Sequence, residues 1–571
     1  MTGPAAPATA YAAELLVQFL RLGVRHLVVA PGSRSQALAL VAAELERAGH
    51  ARLHVRIDER AAGFLALGIG LESGVPAAII TTSGSAVANL HPAVLEAHHA
   101  GVPLLVISAD RPAELHGIGA NQTTTQTGIF AGALRGEWDV PAPRGEAGET
   151  AHAAATALAA WRAALGDGDP RAAGPVQLNL ALADPLSSPW SAPADLGASP
   201  ETLAAPDAPR EVLRLAADRP TAVIAGSGAG PAAEQAARDL SAVLLAEVVS
   251  GAHFGPNLVV PYREALRDED LLDRLERVIV YGRPTLSREV PWLIERGGLE
   301  RIGVRGPGAE TYNPGRALDR IVDAIEVEDP TAAAELTRTW VRPWVAASRA
   351  FLERGEDLPP EVGLPAGPKA RHELEAVRRP VTRRALAEAV WRATWPHDRL
   401  VLGASRLVRE LDRVAPGKAI RVRANRGLAG IDGTVSTGIG VALAQQQSAD
   451  AADGGSPGVT RVLLGDLAFL HDVGGLALPD AEDAPRVLVI VGDDGGGTIF
   501  DLLEAGQAAR ERGGEAASAF ARVMRTTQSA SIELLARAYG WEHRRVETRG
   551  DLDPALSSCT GPTIVEVPLA R

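Results

Sequence analysis

GDLAFLHDVGGLALPDAEDAPRVLVIVGDDGGGTIF, residues 465–500, turns on two apolar runs that each end in an acid. RVLLG (461–465) is followed at once by Asp466, and RVLVIVG (486–492) by Asp493, Asp494 and three glycines. Short unbroken apolar runs of this kind read as strands buried on both faces, as in a parallel sheet. Ligands of such sheets sit beyond the carboxyl ends of the strands. Asp493 lies 27 positions after Asp466, so neighbouring parallel strands bring the two acids together. A carboxylate oxygen from each, with a backbone carbonyl freed at Gly495, makes a hard oxygen site that suits Mg²⁺. A diphosphate supplies the remaining oxygens, and the glycines let the backbone approach its phosphates. Alone, Gly-Asp after a strand is a plain turn and DDGGG a surface loop; the pair at this spacing carries the chemistry. The glycine count leaves the register open by one, with Asp494 as the alternative ligand.

The same alternation extends outward over the whole chain. RHLVVA (25–30), AAIITT (77–82), PLLVIS (103–108), PTAVIAG (220–226), RVIVYG (277–282) and RLVLG (399–403) read as further buried strands, most of them followed by Ala/Leu-rich helical stretches. The expected fold class is α/β, with three doubly wound parallel-sheet domains. Pro-rich breaks at 185–210 and 353–380 read as linkers. They divide the chain into an N-terminal domain (1–190), a central domain (205–352) and a C-terminal domain (378–571). The outer two look like repeats. VVAPGSRSQAL (28–38) parallels VLGASRLVREL (401–411), and ALGIGLESG (66–74) parallels STGIGVALA (436–444). Gly84 to Pro103 spans 19 positions, as does Asp466 to Pro485. Three matches in one order point to a shared topology and to a ligand held between units.

Composition excludes several classes. The 571 residues exceed one core and suit about three domains. The net charge of −13 argues against a nucleic-acid or membrane partner, since both need a basic face. Only Lys369 and Lys418 are lysines among 57 basic residues; the arginine excess suits bidentate carboxylate and phosphate binding. A single cysteine, Cys559, rules out an intramolecular disulfide and a cysteine metal cluster. The N-terminal stretch lacks the basic segment of a signal peptide, and no apolar run approaches a membrane span, so a cytoplasmic protein is expected. GSGAG (226–230) lacks the full dinucleotide fingerprint and reads as a turn. His91, His98, His99 and His471 take ordinary structural roles.

The Gly-Asp motif and its partner turn resemble those of thiamin-diphosphate-dependent enzymes. Within them, APGSRS (30–35), DERAAGFLALG (58–68), TTSGSAVANLHPAV (81–94), SADRPAEL (108–115), GANQTT (119–124), NRGLAGIDG (425–433) and GDLAFLHD (465–472) resemble the 2-succinyl-5-enolpyruvyl-6-hydroxy-3-cyclohexene-1-carboxylate synthases of menaquinone biosynthesis. The resemblance spans nearly the whole chain. Its departures are Gly-Asp-Leu where most of the superfamily has Gly-Asp-Gly, and an Asp at the metal position usually held by Asn.

The resemblance implies a transferase that decarboxylates 2-oxoglutarate and adds the resulting carbanion 1,4 to isochorismate. It implies thiamin diphosphate with Mg²⁺ or Mn²⁺, and a homodimer or dimer of dimers with active sites at the subunit interface. Glu59 matches the acid that activates the cofactor's aminopyrimidine, and Ile431 the residue that props its bent shape. Gly465, Asp466, Leu467, Asp493, Gly495, Ile499 and Phe500 match the cofactor site, with Asp466, Asp493 and Gly495 as metal ligands. Ser33, Arg34, Arg111, Asn121, Gln122, Ser405, Arg409, Arg426 and Leu503 match substrate positions, and Arg288 adds a further candidate. Two rival readings stay open: an acetolactate-synthase-like or other 2-oxoacid-decarboxylating enzyme, and a non-catalytic α/β metabolite-binding protein.

Overall fold

The computed structural model describes residues 5–197, 211–328, 334–354, 375, 377–451, 458–557 and 559–571. The predicted linker at 353–380 falls in large part outside the described residues, as does 198–210 of the other; residues 185–197 are no linker but pack on the N-terminal domain, with Leu186 in its core and Ser188, Pro193 and Leu196 hydrogen-bonded to Ala6, His50 and Arg21.

Three parallel sheets follow one another along the chain. The first holds β1 (His26–Val29), β2 (Arg52–Val55), β3 (Ala77–Thr81), β4 (Leu104–Asp110), β5 (Gly136–Val140) and β6 (Pro175–Ala181) in the order β2-β1-β3-β4-β6-β5. The central region contains β7 (Val212–Leu215), β8 (Thr221–Ala225), β9 (Val243–Ala246), β10 (Arg277–Tyr281), β11 (Glu300–Val304), β12 (Arg320–Val322) and β13 (Ala324–Val327). These form a five-stranded sheet, β12-β11-β10-β8-β9, and a separate β13-β7 pair. The last sheet holds β14 (Arg399–Leu402), β15 (Arg421–Arg423), β16 (Thr460–Gly465), β17 (Val487–Asp493), β18 (Glu542–Arg545) and β19 (Thr563–Pro568), ordered β15-β14-β16-β17-β19-β18. Counted within each domain, the two outer sheets share one order: second, first, third, fourth, sixth, fifth. The architecture is α/β with parallel sheets throughout, as the apolar runs imply. All eight strands read from the sequence form. Eleven more complete the sheets, and among these are edge strands that stay partly exposed, such as Glu542–Arg545 and Gly136–Val140. GSGAG is a turn packed on its own domain: a Cβ on Gly226 would lie 2.0 Å from the backbone nitrogen of Pro284.

The outer domains dock through two helices, Glu59–Ser73 and Thr434–Ala451. These carry the repeated Gly-Ile-Gly segments 68–70 and 438–440. A Cβ on Gly68 would lie 2.2 Å from the carbonyl oxygen of Thr437, and one on Gly440 2.1 Å from that of Leu65. The helices therefore touch backbone to backbone. Beneath them, Phe64, Leu65, Ile69, Val435, Ile439 and Val462 share one continuous core. At the far end of the first helix, the buried Glu72 accepts from Arg399 (2.5 Å) and Arg423 (2.9 Å) of the C-terminal domain.

A second contact closes the opposite seam. His26 and His54 are buried side by side, Nδ1 to Nε2 2.9 Å. Gln447 bonds His26, and Glu482 bonds Arg56 at 2.9 Å while lying 3.4 Å from His54; Arg52 stands nearby. Burial, then the neighbouring His54, push the His26 pKa down to about 3.

Two predictions follow from these seams. Gly440→Ala gains about 1 kcal/mol of helix propensity, but overpacking costs about 1–3 kcal/mol and here it meets backbone. The thermal midpoint should drop by several degrees; an unchanged midpoint would show that the crossing is not tight. For His26, an unfolded chain takes up a proton near pH 6.5 that the folded chain refuses until about pH 3. Its contribution is therefore complete above pH 6.5 and lost as pH falls through that window. Denaturant titrations should lose roughly 1.4 kcal/mol per pH unit from this group, and His26→Gln should flatten the slope.

Candidate active site

The tips of three C-terminal strands converge. The β16–β17 register sets Gly465 opposite Gly492, so the loops that follow are level. Asp466 opens the helix Asp466–His471 directly from β16. Its Oδ2 accepts from the Gly496 amide at 2.6 Å and its Oδ1 from the Leu467 amide at 2.8 Å. Ser405, beyond β14, caps the helix Arg406–Val414 by accepting from the Leu407 amide. A Cβ on Gly465 would lie only 3.6 Å from that of Ser405. Gly496 has φ +133°, and a Cβ there would meet the carbonyl of Arg525 at 2.4 Å, so only glycine fits. Ile499 and Phe500 sit half-buried on the turn Thr498–Leu502, which Leu503 ends.

This mouth is acidic. Burial, followed by the charges of Asp494 and Asp493, raises the Asp466 carboxyl to about 6. Such an acid gains from a cation beside it. The two following acids differ in their contacts. Asp494 is buried and exerts the greater charge effect on Asp466. Its Oδ2 accepts from Arg383 at 2.7 Å and from the Thr498 hydroxyl. Asp493 accepts from the Gly495 amide through Oδ1, its backbone carbonyl is taken by Leu569, and it stands near Arg545. The charges of both acids reach Asp466, and the two registers left open by the glycines stay open. Among the described residues, no three His, Cys, Asp or Glu side chains are placed to hold a metal by themselves. A cation here would need backbone carbonyls and an anionic ligand as well, which is the donor set that a diphosphate completes.

The predicted arginines fall into two groups. In the C-terminal domain, Arg409 donates to the Ser405 carbonyl at 3.3 Å, and the buried Arg426 donates to Thr285 of the central domain at 2.9 Å. Burial lowers both guanidinium pKa values, and each arginine's neighbours include the other's environment of acids and cations: Arg426 lowers Arg409 further. In the N-terminal domain, Arg34 donates to the Leu182 carbonyl at 2.9 Å and Arg111 to the Ser83 hydroxyl. Gln122, at φ 55°, donates to the Ser83 carbonyl at 2.9 Å. Burial, then Arg34, lowers the Arg111 pKa. Ser33 and Asn121 are exposed on the same loops. Adjacent guanidiniums that are partly desolvated form a carboxylate-binding arrangement. No hydrogen bond or ion pair among the described residues joins the two groups within the chain. Arg288 stays on the surface, paired with Glu504 at 3.0 Å.

Glu59 is the first residue of the helix Glu59–Ser73, whose N-cap, Asp58, accepts from the Arg60 amide. Its carboxylate accepts from Asn89 at 3.3 Å. Arg60 donates to the carbonyl of His471 at 2.6 Å, at the opposite end of the helix that Asp466 begins. Ile431 is half-buried in a loop clamped by Glu96, which accepts from the amides of Gly427 (2.6 Å) and Leu428 (2.8 Å). His91 packs edge-on against Phe130 and His98 bonds the Ala133 carbonyl, so both are structural.

Four contributors went unread in the sequence: Glu72, Glu96, Arg383 and the buried pair Glu247 and Asp412. Asp412 accepts from Arg263, Tyr262 and the Val248 amide, and its charge, after burial, pushes Glu247 upward. The available signal was an acid inside an apolar helix face, as in LVRELDRV. A cavity of about 800 Å³ lies between the domains, lined by Gly101, Gly228, Arg283, Arg423 and Arg426; only Arg426 of the predicted residues borders it. No helix among the described residues is long and apolar enough to cross a membrane.

Known proteins place this geometry. Residues 11–130 match the family described as "Thiamine pyrophosphate enzyme, N-terminal TPP binding domain". The chain is 53% identical to the 2-succinyl-5-enolpyruvyl-6-hydroxy-3-cyclohexene-1-carboxylate synthase of Leifsonia xyli subsp. xyli, over 99% of this chain and 97% of that protein. The synthase of Clavibacter michiganensis subsp. michiganensis is 51% identical over the same shares. That of Mycobacterium avium is 38% identical, again over 99% and 97%. With identity this high across the full length, and with the acidic strand tips in place, the chain belongs to the 2-succinyl-5-enolpyruvyl-6-hydroxy-3-cyclohexene-1-carboxylate synthase family of thiamin-diphosphate enzymes.

Proposed function

We propose that this enzyme decarboxylates 2-oxoglutarate and adds the four-carbon unit that remains to isochorismate, in menaquinone biosynthesis. The carrying observation is the acidic, glycine-lined mouth of Asp466, Asp494 and Gly496, with Ser405 and Arg409 beside it. Bound thiamin diphosphate supplies the nucleophilic carbon and the electron sink for loss of CO₂. Asp466 and Asp493, with the backbone carbonyl of Gly495, would hold Mg²⁺ or Mn²⁺ against the diphosphate, Asp494 being the alternative to Asp493. Gly465, Leu467, Ile499 and Phe500 line that cofactor, and Ile431 supports its shape.

Glu59 exchanges a proton with the cofactor's aminopyrimidine ring nitrogen. A homodimer or dimer of dimers lets Glu59 of one protomer meet the strand tips of its partner. The exposed Ile57 (84%) and Leu428 (54%), next to Glu59 and to the Ile431 loop, support a buried interface there. Such pairing also unites the arginine groups. Arg34, Arg111, Ser33, Asn121 and Gln122 from one side, with Ser405, Arg409, Arg426 and Leu503 from the other, suit two substrates rich in carboxylates. Arg288 can reach them only by leaving Glu504. The enzyme would act in the cytoplasm.

The direct test supplies 2-oxoglutarate with and without isochorismate and identifies the product. Consumption of pyruvate in place of 2-oxoglutarate would move the chain to acetolactate-type chemistry; no turnover of any 2-oxoacid would favour a binding protein. Glu59→Gln should keep cofactor affinity and lose turnover by at least a hundredfold, in line with general acid–base contributions; near-normal turnover would remove Glu59 from proton transfer. Asp466→Ala should abolish metal-dependent cofactor binding in calorimetry, and an unchanged affinity would refute the metal site.

A further inference from the structure

One buried acid next to the substrate arginines has no part in the chemistry proposed above. Glu247 follows the central strand β9 and is 1% exposed. Its Oε1 accepts from the amides of Thr285 at 2.6 Å and Leu286 at 2.5 Å, in the turn beyond β10. Strand β8 lies between β9 and β10 in the sheet, so the carboxyl reaches across one strand end. Its Oε2 is buried with no hydrogen-bond partner among the described residues. Burial, then the charge of Asp412, raise its pKa. A buried acid costs stability unless its contacts offset it, and the two amides are the contacts this one has.

The turn that Glu247 holds is the one that holds Arg426. Arg426 Nε donates to the Thr285 hydroxyl at 2.9 Å, and Nη2 donates to the same hydroxyl and to the Thr285 carbonyl at 3.2 Å. Thr285 thus engages Arg426 through its hydroxyl and carbonyl while its amide is taken by Glu247. Arg426 is buried, and of the acids around it Glu247 has the largest charge effect. With Nε and Nη2 occupied, Nη1 is the edge of the guanidinium left for a ligand. The next residue, Val248, donates its amide to Asp412 Oδ1 at 2.8 Å. Asp412 lies three residues after Arg409 on the helix Arg406–Val414. Its Oδ2 accepts from Tyr262 and Arg263, and Arg263 also donates to the Leu286 carbonyl at 2.9 Å. Two consecutive residues of the central domain therefore support both C-terminal arginines, Arg426 by way of Thr285 and Arg409 by way of its helix.

We propose that Glu247 is a positioning residue for substrate binding: it fixes the Thr285–Leu286 turn, and through Thr285 it sets the guanidinium of Arg426 to receive a substrate carboxylate. This rests on the substrate role proposed for Arg426 above. Glu247 does not touch the substrate in this scheme; it acts through Thr285 and Arg426.

The test is steady-state kinetics of the full-length holoenzyme, with KM measured separately for 2-oxoglutarate and for isochorismate. Thr285→Val removes the hydroxyl that Arg426 holds. It should raise the KM of one of the two substrates about tenfold or more, the size of a hydrogen bond to a charged group, with kcat within about threefold. Glu247→Ala frees the turn and should raise the same KM by a similar factor. Glu247→Gln keeps an oxygen for the two amides and should stay within about threefold of the unmodified protein. In an Arg426→Gln background, Glu247→Ala should add less than about threefold, since it acts through Arg426. A merely structural Glu247 would lower thermal stability and leave both KM values unmoved. The inference is overturned if Thr285→Val leaves both KM values unchanged, if Glu247→Gln is as impaired as Glu247→Ala, or if Glu247→Ala costs as much without Arg426 as with it. Should Glu247→Ala not fold, Thr285→Val with and without Arg426→Gln decides by the same factors. Arg426→Gln separates the two levels: unchanged KM values in that variant remove Arg426 from substrate binding and sink the reading above, whereas a raised KM there with normal values in Thr285→Val and Glu247→Ala sinks only the role of Glu247.

Discussion

The backbone contact between the helices Glu59–Ser73 and Thr434–Ala451 is the constraint from which the rest of the arrangement follows. Gly68 and Gly440 leave no room for a side chain, so the crossing has essentially one separation. A helix packed at that distance is a rigid strut. One end of the strut carries Glu59, and Arg60 beside it is fixed to the His471 carbonyl. The other end carries Glu72, held by the guanidiniums of Arg399 and Arg423. The candidate acid therefore has a position set by the C-terminal domain of its own chain, although no contact joins it to Asp466 among the described residues. Of each Gly-Ile-Gly, one glycine serves the crossing, Gly68 or Gly440, while Gly70 and Gly438 lie against their own domains, at Pro103 and Val462.

Electrostatics then separates the two halves. At the strand tips of the C-terminal domain, burial and then the neighbouring acids push Asp466 up to about 6. In the N-terminal loops, burial and then Arg34 depress Arg111. Each cluster is met by fixed neutral groups: the Ser83 hydroxyl and the Leu182 carbonyl for the arginines, the amides of Leu467 and Gly496 for Asp466. Sites built in this way hold charge in readiness for ligands of the opposite sign.

Much of this was legible in the sequence, and the reasons for the gaps are physical. The eight runs read as strands are unbroken apolar segments, the pattern that double-sided burial demands. β6 and β19 are equally buried but contain Gln177, Asn179 and Glu566, whose hydrogen bonds offset their polarity only in the folded chain. The repeat was visible because glycine spacing survives where side chains diverge, and the identical strand orders follow from it. The pairing of Asp466 with the glycine turn was legible from spacing alone, but the register within Asp493-Asp494 was not. Glu72, Glu96 and Arg383 were hidden because each acts on a residue hundreds of positions away or across a sheet, where local pattern carries no signal.

The loop 425–433, which bears Ile431, shows why a central domain with no strong catalytic candidate belongs to the machine. Glu96 of the N-terminal domain accepts from the amides of Gly427 and Leu428. Arg283 of the central domain donates to the Gly427 carbonyl at 2.7 Å, and Arg426 reaches back to Thr285 there. Asn425 ties the loop to Thr437 on the crossing helix. Ala429 is held at φ 60°, a conformation costly for any residue with a Cβ, and such strain persists only where surrounding contacts over-determine the backbone. All three domains thus fix one short segment. Moving any of them shifts the support beneath Ile431 and the guanidinium of Arg426 together, so the placement of the central domain is coupled to the geometry of a site to which it lends Thr285, Arg283 and the buried Glu247.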